Sequence, residues 1–149
     1  MKISSSSFED RKTIPPTYTC DGKNISPELS WSEYPPETKS FVLICYDPDS
    51  PSKNFIHWAV ANIPAGIDNI KEGEMEVKSA LNLENGFGNT SYGGPCPATG
   101  NHRYVFSIYA LSTNLLSEVD KDNLQEMIKP YIIDEASITG TYQRKIISH

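Results

Sequence analysis

The stretch "SFVLICYDPDSP" (40–51) is an apolar run of strand length that breaks off at Asp-Pro-Asp-Ser-Pro. Aspartate is a poor strand former and costly to bury, so Asp47 and Asp49 each need a partner or an exit to water. A second run, "FIHWAVANIP" (55–64), follows after the short turn-forming segment "PDSPSKN" (48–54). The two read as neighbouring antiparallel strands. "RYVFSIYAL" (103–111) is a third run, whose mixed alternation predicts burial on both faces, and "ASITGTYQRKI" (136–146) is a fourth. These runs predict a mainly β protein.

Elsewhere the pattern is irregular. "TIPPTYTCDGKNISPELSW" is broken by Pro-Pro, Asp-Gly and Ser-Pro and reads as a long ordered loop or a set of short strands. In "DKDNLQEMIKPYI", Leu124, Met127, Ile128 and Tyr131 recur at helical spacing. Asp120 or Asp122 is placed to cap the N-terminus, and Pro130 to end or kink the helix. The Gly-, Asn- and Pro-rich segment 71–102 between the second and third runs far exceeds the usual connection of about 4–6 residues, and loops of that length are commonly functional.

Composition narrows the classes. A length of 149 residues suits one domain over 1–149 with a core that needs no disulfide or metal staple. No apolar stretch approaches the roughly 20 residues that span a bilayer, so integral membrane association is not expected. The start, "MKISSSSFED", lacks the apolar region of about 7–15 residues of a secretory signal, which reads as a cytoplasmic protein. Thirteen basic against nineteen acidic residues give a net charge of −6, and the basic residues are scattered, which argues against nucleic acid. Cys20, Cys45 and Cys96 form no C-x-x-C pair, so reduced, partly buried thiols are expected rather than a disulfide framework or a zinc site.

The remaining chemistry-bearing residues fall at the ends of the same strands: His57 and Trp58 on the second, His102, Arg103 and Tyr104 at the start of the third. Residues two apart on an extended chain share a face, so Asp47 can pair with Asp49 and His102 with Tyr104. "GGPCPATGNH" before His102 combines flexible and rigid positions suited to walling a pocket. On spacing alone, the same residues also read as turn caps, a core histidine and a strand opening.

Taken in order, "YDPDSP", "IHWAVANIP", "YGGPCPATGNHRYVFSIYAL" and "ITGTYQR" closely resemble the phosphatidylethanolamine-binding protein family, in its bacterial and archaeal Raf-kinase-inhibitor-like branch. "YTCDGKNISPELSW" resembles that branch's N-terminal segment, so the likeness spans nearly the whole chain. It implies a β-sandwich-like fold with a large central antiparallel sheet, a smaller sheet, one or two short helices and a small anion pocket. The pocket would fall on Asp47, His57, Gly94, Pro95, His102 and Tyr104, with Gly94 offering backbone and with Asp49, Trp58 and Arg103 in support. Ser50 and Ala98 depart from the branch's usual alanine and second proline, and neither change removes a polar pocket group. The extensions of the eukaryotic members are absent, which puts their kinase-regulating partners in doubt for this chain.

A histidine beside a carboxylate favours its charged form, and an imidazolium donates from both nitrogens, so the expected ligand is a small anion such as phosphate, phosphoethanolamine or a phosphorylated group. A non-enzymatic binding module is the first reading, with neither cofactor nor metal. A kinase or serine-protease inhibitor acting through a protein surface is the second, and a homodimer is left open. A metal-dependent or acid–base hydrolase is the third, disfavoured because compact metal spacings and a G-x-S-x-G elbow are missing.

Overall fold

The computed structural model describes residues 1–145 and is built on two antiparallel sheets. β1 (Lys2–Ser4), β2 (Leu29–Ser32), β3 (Ser40–Asp47), β4 (Phe55–Pro64), β5 (Asn69–Ile70), β6 (Leu81–Asn82), β7 (His102–Leu111) and β8 (Ile132–Tyr142) follow in chain order. The small sheet runs β1-β2-β5 and the large one β6-β4-β3-β7-β8. The fourth run extends further toward the N-terminus than expected, and Ile146 of that reading lies outside the described residues.

The large sheet is covered on both sides, which is why its strands read as nearly continuous apolar runs. On one face Phe41, Leu43, Cys45, Trp58, Phe106 and Ile108 pack against Leu29, Trp31 and Ile70 of the small sheet. On the other, Val42, Ile44, Ala59 and Ala61 meet Leu116, Leu124 and Ile128. The last two belong to α1 (Leu124–Ile128), the one α-helix among the described residues.

That helix is shorter than its periodicity suggests. Pro130 lacks an N–H to donate, and the chain tightens into a 3₁₀ turn at Lys129–Tyr131. Met127 and Tyr131, expected on the apolar face, are 40% and 39% exposed. Asn123, not an aspartate, holds the cap position, without a side-chain cap bond. Asp120 shapes the turn before it by accepting from the N–H groups of Asp122 and Asn123.

One local irregularity positions the site. Cys45 pairs with Trp58 but Tyr46 pairs with Ile56, so His57 is an extra residue on β4, a β-bulge. Strict alternation would send His57 and Trp58 to opposite faces. The bulge lets Trp58 enter the core between the sheets while His57 lines a concavity at the end of the same face.

The cysteines correct the sequence expectation. Cys20 and Cys96, 76 residues apart in sequence, form a disulfide, and only Cys45 is a free, buried thiol. Sequence spacing could not reveal the pairing, because the fold brings the two Cα atoms to 5.4 Å.

Candidate functional site

β3 ends at Asp47, β4 begins at Phe55 and β7 begins at His102, so three strand ends meet at one edge of the large sheet. Around them lies a concavity of about 360 Å³ lined by Asp47, His57, His102 and Tyr104 among others. These are four of the six residues assigned to a pocket from sequence.

The two opening aspartates have different partners. Asp47 is buried; its Oδ2 accepts from His102 Nδ1 at 2.6 Å and its Oδ1 from the N–H of Asp49 at 2.8 Å. Asp49, in the turn beyond β3, receives Arg103 Nε at 3.0 Å, Arg103 Nη2 at 2.9 Å and the Arg103 N–H at 2.8 Å. The hydrogen bonds and charge of that guanidinium draw the Asp49 carboxyl down to about 2. Asp49 and Arg103 therefore brace the strand end beside the pocket.

His102 holds both of its ring nitrogens against oxygen. Nδ1 faces Asp47, and Nε2 lies 2.9 Å from the Thr99 carbonyl. Only an imidazolium can donate to both. As placed, it has no N–H left over for an anion, so His102 orients Asp47 and closes the loop 99–102 rather than acting as the primary anion donor expected from sequence.

His57 also departs from expectation. Its Nδ1 lies 2.7 Å from the Gly93 carbonyl, which requires a proton on that nitrogen. Burial lowers its pKa, outweighing the opposing pull of the Gly93 carbonyl and the Asp47 charge. The ring is therefore the neutral Nδ1–H tautomer at neutral pH, and Nε2 is an acceptor, not an imidazolium donor. Phe55, Phe87 and Tyr104 hold the ring edge-on, with centroids at 5.0, 5.4 and 5.2 Å.

Tyr104 is 1% exposed, and its hydroxyl makes no well-formed hydrogen bond among the described residues, although the Asp47 carboxylate lies close enough to act on it. Burial, then the nearby charge of Asp47, pushes the phenol pKa up, so the group remains an O–H donor. A buried hydroxyl without a partner costs about 1–3 kcal/mol, which marks it as a place where a ligand atom can repay the loss.

Gly94 and Pro95 stand behind the wall rather than among the residues lining the concavity, Gly94 with its backbone against the His57 ring. The Gly94 N–H is spent on Asn24 Oδ1 at 2.9 Å, and a Cβ there would collide with the Tyr18 carbonyl. The Pro95 carbonyl accepts from the Cys20 N–H at 3.1 Å. Both dock the 92–95 segment onto the N-terminal region, and the wall is made by the next residues, Cys96, Pro97 and Ala98. Trp58 supports from the core, packed edge-on against Tyr92.

Sequence reading also missed the apolar side of the pocket. Phe55 and Phe87 sit with centroids 4.8 Å apart, and Phe87 is 48% exposed. Phe87 is held by Asn85, which is buried. Asn85 Oδ1 accepts from the Phe87 N–H at 2.8 Å and the Asn89 N–H at 3.1 Å, while Nδ2 donates to the Ser91 carbonyl at 2.6 Å. The Phe87 ring lies on Gly93, where any Cβ would strike it. An isolated aromatic after Asn-Gly in a long polar loop was the available signal.

Among the described residues, no group of three or more His, Cys, Asp or Glu side chains is arranged to hold a metal ion, and no helix is long and apolar enough to cross a membrane.

Comparison with known proteins agrees with this architecture. Residues 4–143 match the family model described as phosphatidylethanolamine-binding protein. A UPF0098 protein of Methanothermobacter thermautotrophicus is 41% identical over 97% of this chain and 99% of its own length. A UPF0098 protein of Aquifex aeolicus is 40% identical over 97% and 89%. Among solved structures, a putative phosphatidylethanolamine-binding protein homologue of Chlamydia trachomatis superposes with a TM-score of 0.88 at 38% identity, covering 97% of both chains. YbcL of E. coli, described as a member of the mammalian PEBP family, gives 0.90 at 30% identity over 97% of this chain and 98% of that one. The paired sheets, the strand-end concavity and these matches together make the chain a bacterial or archaeal member of the phosphatidylethanolamine-binding protein family.

Proposed function

We propose that the concavity binds a small phosphate-like oxyanion, free or as a phosphomonoester such as phosphoethanolamine, and does so without transforming it. The observation that carries this reading is the Tyr104 hydroxyl, buried beside Asp47 in the pocket wall, held protonated and without a well-formed hydrogen bond to protein. It supplies one donor of the kind an oxyanion needs.

His57 Nε2 supplies the complementary acceptor. A hydrogen phosphate or phosphomonoester monoanion carries both an acceptor oxygen for Tyr104 and an O–H for His57, whereas sulfate at neutral pH has no proton to give. The pocket's other polar groups favour holding over chemistry. Asp47 is tied to His102, and the Ser50 hydroxyl donates to the Asp47 carbonyl while accepting from the Phe55 N–H. No activated nucleophile emerges from that set.

The test is a calorimetric or NMR titration with phosphate, phosphoethanolamine and sulfate against the native chain and Tyr104→Phe. Phosphate and phosphoethanolamine should bind more tightly than sulfate. Loss of one hydrogen bond to a charged ligand, about 1.5–3 kcal/mol, should weaken phosphate binding in Tyr104→Phe by about tenfold or more. Equal binding of phosphate by Tyr104→Phe, or preference for sulfate, removes the basis of the reading.

A further inference from the structure

Few hydrogen bonds hold the pocket wall following Pro95, although Pro97 is buried. Pro95 is fastened through its carbonyl to Cys20, and β7 begins at His102. Between them, Cys96 is bonded to Cys20 and the Thr99 carbonyl accepts from His102 Nε2. Cys96, Pro97 and Ala98 line the concavity, and Cys96 is itself exposed. Of the two bridged residues, Cys96 is thus the more exposed and Cys20 only partly so.

We propose that the Cys20–Cys96 disulfide is a thiol-exchangeable clamp that sets the anion affinity of the pocket. The proposal rests on the oxyanion reading of the same site. A low-molecular-weight thiolate attacks the sulfur of the more exposed Cys96; an S–S bond forms between them and Cys20 leaves as a thiolate, which takes a proton from water. A second thiolate then attacks the sulfur of the small-molecule thiol in that mixed disulfide, releasing Cys96 as a thiolate. The protein pair is reduced by two electrons, and the two small thiols are oxidised to their disulfide.

Reduction removes the covalent anchor on one side of the 96–98 wall and leaves Thr99 with its single bond to His102. Because His102 also holds Asp47, loosening the strap reaches the polar end of the pocket through that imidazole. The closed form persists where thiols are oxidised, and a compartment rich in reduced thiols opens it.

The experiment compares the full chain as oxidised protein, after dithiothreitol treatment and anaerobic exchange, and as the Cys20→Ser/Cys96→Ser double variant. Circular dichroism verifies folding, calorimetry measures inorganic phosphate affinity, and NMR follows the His102 ring resonances. Phosphate affinity should fall about five- to tenfold on reduction, a modest coupling between sites, and recover on reoxidation. The double variant should resemble the reduced protein and ignore the reductant. Equal affinity in both redox states overturns the clamp and leaves the oxyanion reading standing. Absence of phosphate binding to the oxidised chain overturns the oxyanion reading and, with it, the clamp that rests on it. A chain that unfolds on reduction also overturns the clamp, since the bridge would then hold the fold rather than the pocket.

Discussion

Tyr104 and Phe106 lie two residues apart on the same face of β7 and are 1% and 0% exposed, yet they belong to different environments. Phe106 faces Phe8 at 5.5 Å and stands opposite Cys45, in a dry layer closed by the small sheet. Burial, with the Asp47 charge adding to it, pushes the Cys45 thiol well up. Tyr104 continues the same face to where loops replace the small sheet as cover, among Asp47, His57 and His102. Burial therefore does not separate core from site in this protein; the titratable neighbours at the strand ends do.

The contrast breaks first under truncation. Phe106→Ala should destabilise the fold by about 3–5 kcal/mol, measured by urea unfolding, because the surrounding strands cannot collapse into the space left. His102→Ala should cost about 3 kcal/mol in the same assay, since it strands Asp47, whose side chain is only 5% exposed, without its ionic partner. That differs from the near-neutral effect which exposure at the end of a strand suggests. A His102→Ala protein as stable as the native one would show that the Asp47–His102 pair contributes nothing to holding the pocket end.

Acid sharpens the comparison. The folded pKa of His57 lies below its ordinary value of 6.5, so the unfolded chain takes up that proton first. Its contribution to stability is complete above that value and declines as pH falls below it, by at most about 1.4 kcal/mol per pH unit. Unfolding measured from pH 7 to 5.5 should show this slope in the native chain and a shallower one in His57→Gln. Identical slopes would mean that His57 is not held neutral.

Tyr104→Phe should reverse the usual sign. Removing a buried hydroxyl that makes no well-formed hydrogen bond should leave stability unchanged or raise it by about 1 kcal/mol, while phosphate affinity falls. A clear loss of stability would reveal a protein partner for that hydroxyl and place Tyr104 with Phe106 after all. The smallest effect is expected at Asp49. Its pKa is drawn from 3.8 to about 2, so its stabilisation is full above pH 3.8 and is lost as pH falls through about 2. The Arg103 partner is largely exposed and water screens the pair, so Asp49→Asn should cost less than about 1 kcal/mol at neutral pH in thermal unfolding. A larger loss would make the turn brace part of the core rather than of its edge.

Much of this arrangement was written locally. The apolar runs at 40–47, 55–64 and 103–111 marked three strands because burial on both faces leaves no polar alternation to confuse with a surface. The turn residues of 48–54 made the first two neighbours, and Asp47, His57, His102 and Tyr104 stood out at the strand ends as residues that an apolar strand does not need. Tertiary structure alone decided what those residues are chemically. Whether His57 is a charged donor or a neutral acceptor depends on a bulge and on the carbonyl of Gly93, 36 residues away. Whether Gly94 faces the pocket depends on Asn24, and whether Cys96 is a thiol depends on Cys20. Periodicity and turn propensity are properties of neighbouring residues and survive in the sequence. Proton position, hydrogen-bond supply and disulfide pairing are set by partners brought together only when the two sheets close.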